Sequence, residues 1–349
     1  MSTTGTLLYV ALRGQIEWRL PSGDTPLEFR VSNPAGYSLV NPLLIAPSGG
    51  PEAKLGAVGP LPDGTFLLSS DVLCIRIEGS RNFENPFERE DMAAIEQILR
   101  QIRFSSRQFT VPRKASSYSW SHRGEIPERP TLDILPTKNL YMQEYLFKTA
   151  VTLGTLETAL TLPSNYQVPL AGEIMLDALE ARAERDNKRA ILYAAIAAES
   201  ALSARLDDEY GNILKADVGQ ERFRVVERPM AGGYTKREDP VYRAIPETFR
   251  SLLHERSLYL LGRSILLDDE ELYRKATSLY KTRNLLAHGS DGEADPEVYP
   301  LDAGGAANAL EVAARILDWT GDAGPYVVSE AFANPVDQSK RVPLGEHSI

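Results

Sequence analysis

Two kinds of periodicity divide the chain. Up to about residue 168 the apolar positions come in short alternating or β-rich runs, "GQIEWRL", "LEFRV", "TFLLSS" and "VLCIRIEG". Pro/Gly punctuation separates them, in "PSGD", "SNPAG", "APSGGP" and "PLPDG". Alternation bounded by turn residues predicts strands. One helix interrupts this pattern: "PFEREDMAAIEQILRQIRF" places Met92, Ile95, Ile98, Leu99 and Ile102 at helical spacing. The Pro-, Ser- and Arg-rich stretch 107–140 reads as linker or long loops, and residues 141–168 read as further strands.

Beyond residue 168 the period changes to that of helices. The runs "AGEIMLDALEARAERD", "NKRAILYAAIAAESALSARL", "PETFRSLLHERSLYLLGRSI", "DDEELYRKATSLYKTRNLLAH" and "GGAANALEVAARILDWTG" predict five of them. The second is apolar on every face from Ala190 to Ala198, which predicts a central position. Residues 207–245 read as loop, and 323–349 as a flexible tail. The expected fold class is therefore α+β. A β-rich unit with one helix (1–168) precedes an all-α bundle (169–322).

Composition narrows the picture. A formal net charge of −10 disfavours indiscriminate binding to nucleic acid or anionic membrane, without excluding a local basic surface. The single cysteine, Cys74, lies in an apolar run, so there is no disulfide framework. No apolar run is long enough to span a bilayer, and "MSTTGTLLYV" lacks the basic start of a signal peptide. A cytoplasmic protein without membrane association is expected.

Candidate chemistry concentrates in "YKTRNLLAHG", residues 280–289. With roughly 100° between successive residues, Asn284 and His288 share a helix face flanked by Tyr280 and Lys281. Arg283 points roughly 140° away from His288, toward a stripe containing Leu272, Ala276, Leu279 and Leu286. A guanidinium in an apolar stripe requires a partner. Glu199 stands among Leu192, Ala195, Leu202 and Leu206 on the second helix and is the matching isolated charge. An ion pair across the bundle is expected. It could serve catalysis, or only fix helix register. Gly289 predicts a C-terminal cap, with His288 in the last turn. A histidine there can move a proton or hold a phosphate oxygen, and it is also simply a good partner for the helix dipole.

Arg283, Asn284 and His288, in a late helix of an all-helical region with an alanine-rich helix bearing Glu199, resemble the RN-x-x-x-H pattern of HEPN domains. The resemblance covers about residues 170–322, and the first half resembles no family by comparable motifs. It implies a bundle of four or five helices and a homodimer in which two motif helices form one composite site. It further implies metal- and cofactor-independent cleavage of RNA through attack by the 2′-hydroxyl, leaving a cyclic phosphate. Arg283 would stabilise the phosphate, His288 would do acid–base work and Asn284 would orient either, with Glu199, Tyr280 and Lys281 in support. Such proteins act in stress response or phage defence, and the β-rich unit would sense a trigger or meet a regulatory protein partner. Other HEPN domains are non-catalytic and bind RNA or partner proteins, and the motif leaves that alternative open, as it does a dimerisation module for the β-rich unit.

Two further stretches carry weaker signals. "RFRVVERPMAGGYTKRE" combines Arg222, Arg224, Arg228, Lys236 and Arg237 with Phe223 and Tyr234, a composition suited to single-stranded RNA. Glu221, Glu227 and Glu238 dilute it, so a solvated loop is the competing reading. "WSHRGE" (Trp120, His122, Arg123) reads as a surface loop. No P-loop, dinucleotide fingerprint, nucleophile elbow or zinc spacing is present.

Overall fold

A computed structural model describes residues 5–20, 37–40, 55–58, 66–78, 89–121, 134–135, 151–161, 166–216, 223–288 and 298–322. The fold class is α+β, and the chain separates into two compact units, Met1–Val168 and Pro169–Ile349.

The first unit contains strands β1 (Gly5–Leu20), β2 (Tyr37–Val40), β3 (Leu55–Val58), β4 (Phe66–Glu78), β5 (Ala115–Ser121) and β6 (Ile134–Leu135). They form one sheet in the order β5-β1-β4-β3-β6, with β2 also paired to β4. All pairings are antiparallel except β3 with β6. The β1–β4 register runs from Gly5↔Glu78 to Ala11↔Val72 and resumes at Ile16↔Ser70. Over that step β1 advances five residues and β4 two, so β1 carries a bulge containing Gly14. Beyond the bulge Ile16 and Trp18, two apart, are both buried, as strand alternation requires.

Helix α1 (Arg89–Ser106) buries Ile95, Ile98, Leu99 and Ile102 on one face. Two expectations need correction in this unit. The stretch after α1 is not linker. Arg103 is buried, and its Nη1 donates to the carbonyls of Phe109 (2.7 Å) and Val111 (2.8 Å). Those bonds fold residues 107–114 back onto the helix, and the chain then enters β5. The unit also holds a second helix where strands were expected: α2 (Leu153–Thr161) buries Leu156 and Ala159. It starts where Thr152 Oγ1 accepts the Thr155 N–H at 3.1 Å, a threonine cap at the end of the β-rich run "YLFKTAVTL".

The second unit is built on α3 (Leu170–Ala183) and α4 (Asn187–Lys215). Asp186 caps α4 by accepting the Arg189 N–H at 3.0 Å. Six alanines of α4 are buried, at 190, 194, 195, 197, 198 and 201, and such small side chains let neighbours approach from several sides. Helix α4 accordingly packs against α3, α6 (Phe249–Leu253), α7 (Glu255–Leu261), α9 (Glu270–Ala287) and α10 (Ala303–Thr320). At the start of α10, Asp302 accepts the Gly305 N–H at 2.8 Å. A Cβ on Gly305 would lie 1.8 Å from the Pro300 carbonyl oxygen, so only glycine fits there.

Two more corrections concern this unit. Residues 207–245 are not loop throughout. Helix α4 continues to Lys215, supported by an Arg205–Glu209 pair one turn apart at 3.6 Å and by Tyr210 stacked on Tyr242 at 4.8 Å. A hairpin of β7 (Val226–Pro229) and β8 (Thr235–Glu238) follows, then a short helix, α5 (Pro240–Ala244). The long helix expected over 246–265 is two short pieces, α6 and α7, and a third, α8 (Ile265–Asp268), begins at its last residue. The breaks fall at His254 (φ −132°, ψ −81°) and at Gly262, which takes a left-handed conformation. Ser264 caps α8. The stretch 323–349 lies outside the described residues. No helix among the described residues is long and apolar enough to cross a membrane.

Candidate functional site

Helix α9 carries the motif. Its buried stripe is Leu272, Ala276, Leu279 and Thr282. The stripe thus ends on Thr282 and not on Arg283 and Leu286, which corrects the expectation that Arg283 lies mid-stripe. The Thr282 hydroxyl donates to the Ser278 carbonyl (2.8 Å) and accepts the Tyr299 backbone N–H (2.8 Å). This gives a buried threonine two partners and ties α9 to the segment leading into α10.

Displaced to the edge of the stripe, Arg283 remains about one-third exposed, and its guanidinium has three neighbours. Nη2 lies 3.6 Å from Glu199 Oε2 on α4, with the two side chains 31% and 32% exposed. Nη1 donates to Asn284 Oδ1 at 2.9 Å. The cation sits 5.5 Å from the centre of the Tyr280 ring, within cation–π range. Tyr280 is in turn stacked on Phe249 of α6 at 4.7 Å with 9° between the ring planes. The structure therefore brings together Glu199, Tyr280, Arg283 and Asn284. The pair across the bundle is half-buried rather than desolvated.

His288 is itself the C-cap of α9, one position later than a last-turn placement, and its backbone N–H donates to the Asn284 carbonyl at 3.1 Å. Its side chain is exposed. Lys281, Asn284 and Leu285, on the same stripe as His288, are half-buried. The Tyr280 end of this face is covered within the chain by Phe249, which sequence spacing could not show. Helix rotation separates His288 from Arg283 by roughly 140°, so within one copy they do not converge on one point.

The basic stretch forms the β7–β8 hairpin, with Arg222 outside the described residues. Arg224 is exposed, Arg237 Nη2 donates to the Ala216 carbonyl at 3.4 Å, and Phe223 packs edge-on against Tyr259 at 5.3 Å. Arg228 and Lys236 both face Glu238. Of "WSHRGE", Trp120 lies in β5 opposite Leu8, while His122 and Arg123 lie outside the described residues.

A groove of about 810 Å³ that sequence reasoning missed runs between the C-terminal ends of α4, α7 and α10. Arg205, Asn212, Phe223, Arg263 and Trp319 line it, and neither Arg283 nor His288 does. Arg263 lies over the Trp319 ring at 4.6 Å, and both donate to Asp268 at 2.8 Å. Arg263 and Asp268 are near neighbours in the chain, but Trp319 lies 51 residues beyond Asp268, so no local spacing announces its part in the groove. Among the described residues no group of three or more His, Cys, Asp or Glu is gathered as metal ligation would need. Comparison of the chain with protein-family models, with curated proteins and with solved structures finds no match.

Proposed function

We propose that the helical unit is a HEPN-type, metal-independent endoribonuclease that acts as a homodimer. The observation that supports this most is the state of Arg283. Its guanidinium is oriented by Glu199, Asn284 and Tyr280, yet about a third of the side chain stays accessible, on the helix that ends in exposed His288. A cation held in place before substrate arrives costs little to reorganise as charge builds on a phosphate.

In this reading the 2′-hydroxyl of RNA attacks the adjacent phosphorus and the bond to the 5′-oxygen breaks. The products are a 2′,3′-cyclic phosphate and a 5′-hydroxyl. One proton leaves the 2′-oxygen and one reaches the 5′-oxygen. His288 from each of two copies supplies these transfers, and Arg283 balances charge on the phosphate oxygens. The separation of Arg283 from His288 around one helix is the geometric reason for a second copy. The sheet-bearing unit serves as the element that selects substrate or restrains cleavage.

The test is cleavage of a mixed RNA pool by the full chain in the presence of EDTA, with product ends analysed. His288→Ala should lower the rate by about 10²–10⁴-fold, the usual contribution of general acid–base catalysis. Its stability should change by no more than about 0.3–1 kcal/mol, the worth of a dipole contact at a helix end. Cyclic-phosphate ends formed equally well by the variant, or RNA bound but never cut by the wild type, would overturn the catalytic reading in favour of a non-catalytic RNA- or protein-binding HEPN unit.

A further inference from the structure

We infer that the β7–β8 hairpin is the surface on which a single-stranded RNA docks, an inference that takes its choice of polyanion from the function proposed above. The register pairs Arg228 directly with Lys236. Like charges opposite one another on a two-stranded ribbon repel and need a common counter-charge. Glu238, with its side chain only 9% exposed, provides it. Its carboxylate lies 3.5 Å from Arg228 Nη1, 3.3 Å from Lys236 Nζ and 3.0 Å from Arg243 Nη2. One carboxylate thus gathers three cations, leaving an excess of about two positive charges. The cations themselves face solvent, with side chains 63%, 49% and 53% exposed. On a chain of net charge −10 this is a local inversion of sign.

The hairpin's turn adds a second, different feature. Tyr234 is 76% exposed and Met230 53%. Both sit on a closed turn in which the Met230 N–H donates to the Tyr234 carbonyl at 2.7 Å, with Gly232 (φ 97°) and Gly233 (φ 82°) in left-handed conformations. The phenol ring is therefore displayed on an ordered turn, close to a pre-gathered cation cluster. Phosphates answer the excess charge and an unpaired base answers the ring, and single-stranded RNA carries both at nucleotide spacing.

The placement also fits. The Asp239 N–H donates to Tyr210 Oη at 3.0 Å, which seats the base of the hairpin on the C-terminal part of α4. Tyr210 lies eleven residues beyond Glu199 on that helix, about 16 Å along its axis. A few nucleotides of an extended strand cover that distance.

The test measures fluorescence anisotropy of a short labelled oligouridylate with the full chain carrying His288→Ala, so that binding is read without cleavage. Adding Tyr234→Ala should weaken binding roughly tenfold, and Tyr234→Phe should restore it, because stacking needs the ring and not the hydroxyl. Adding Arg228→Ala with Lys236→Ala should reduce the slope of log affinity against log salt by about 1.4, two phosphate contacts at roughly 0.7 each. Unchanged affinity and slope in both variants would overturn the inference. So would a loss confined to the charge variant and reproduced with heparin, which would make the hairpin a surface for polyanions in general and not for single-stranded RNA. The two readings fail separately. A wild type that binds through the hairpin but never cuts RNA defeats the nuclease, and hairpin variants that bind and cut like wild type defeat only the docking.

Discussion

Glu199→Gln removes one charge from the candidate site while keeping the shape of the side chain. At 3.6 Å the gross attraction between Glu199 and Arg283 is about 1 kcal/mol in bulk water and about 5 kcal/mol at an effective dielectric of roughly 20. The side chains are 31% and 32% exposed, so solvent screens the pair and its net worth moves toward the surface range of about 0–1 kcal/mol. The loss of about 3–5 kcal/mol that follows from stripping a fully buried charge of its partner does not apply. Arg283 also keeps Asn284 Oδ1 and the Tyr280 ring as neighbours. We expect a loss of about 1 kcal/mol, which for a helical unit of this size lowers Tm by about 2–4 °C. Calorimetry of wild type and variant at low salt and at about 1 M salt reads it, since screening at the higher concentration reaches about 3 Å and should nearly abolish the difference. In the proposed function cleavage should fall further than stability does, because that reading needs the Arg283 guanidinium held. A salt-independent drop of more than about 10 °C, well beyond a screened pair, would show that the pair is desolvated and refute this reasoning. Cleavage that falls only with the folded fraction would show that Glu199 does not position Arg283.

Thr282→Val preserves the volume of a buried side chain but leaves the Tyr299 backbone N–H without the oxygen it meets at 2.8 Å. A loss of about 1–3 kcal/mol in chemical denaturation is expected, and no loss would mean that water reaches the vacated donor. Burial pushes the Tyr299 phenol up to about 12 from its usual 10.0. The folded state then holds a proton that the unfolded chain has released, so this part of the stability is complete below about pH 10 and disappears as pH rises toward 12. Tyr299→Phe should flatten the decline of stability across about pH 9–12 relative to wild type, and parallel curves would refute the assignment.

What was legible in the sequence follows from how local each cause is. The change of character near residue 170 falls beside the division between the two units, because amphipathic spacing is written in neighbouring residues. Helices α1, α3, α9 and α10 begin and end close to where their apolar spacing runs. The failures depend on single residues or on distant partners. His254 and Gly262 break an apolar pattern that otherwise reads as one helix. Thr152 starts α2 at the end of the β-rich run "YLFKTAVTL", although Leu153, Leu156, Ala159 and Leu160 stand at helical spacing. The last turns of α4 are polar in composition and persist because Tyr210 meets Tyr242 and Asp239, some thirty residues ahead.

The candidate site divides along the same line. Arg283, Asn284 and His288 stand out because six successive residues, five of them in one helix and the sixth its cap, fix their relative directions, and the isolated charges pointed to Glu199 as the partner across the bundle. Spacing could not weigh how deep that pair lies. The position that spacing assigned to the middle of the stripe belongs to Thr282, whose small hydroxyl satisfies Ser278 and Tyr299 inside the bundle. A bulky guanidinium one residue later is turned to the rim, where α4 supplies a carboxylate and solvent still reaches it. That displacement matters more for function than the pairing itself. Had Arg283 been sealed in the core, it could only have fixed helix register. At the rim, the proposed function has it exchange part of its contact with Glu199 for a phosphate. The same threonine that ties α9 to Tyr299, ahead of α10, thereby leaves Arg283 at the depth that the proposed function requires.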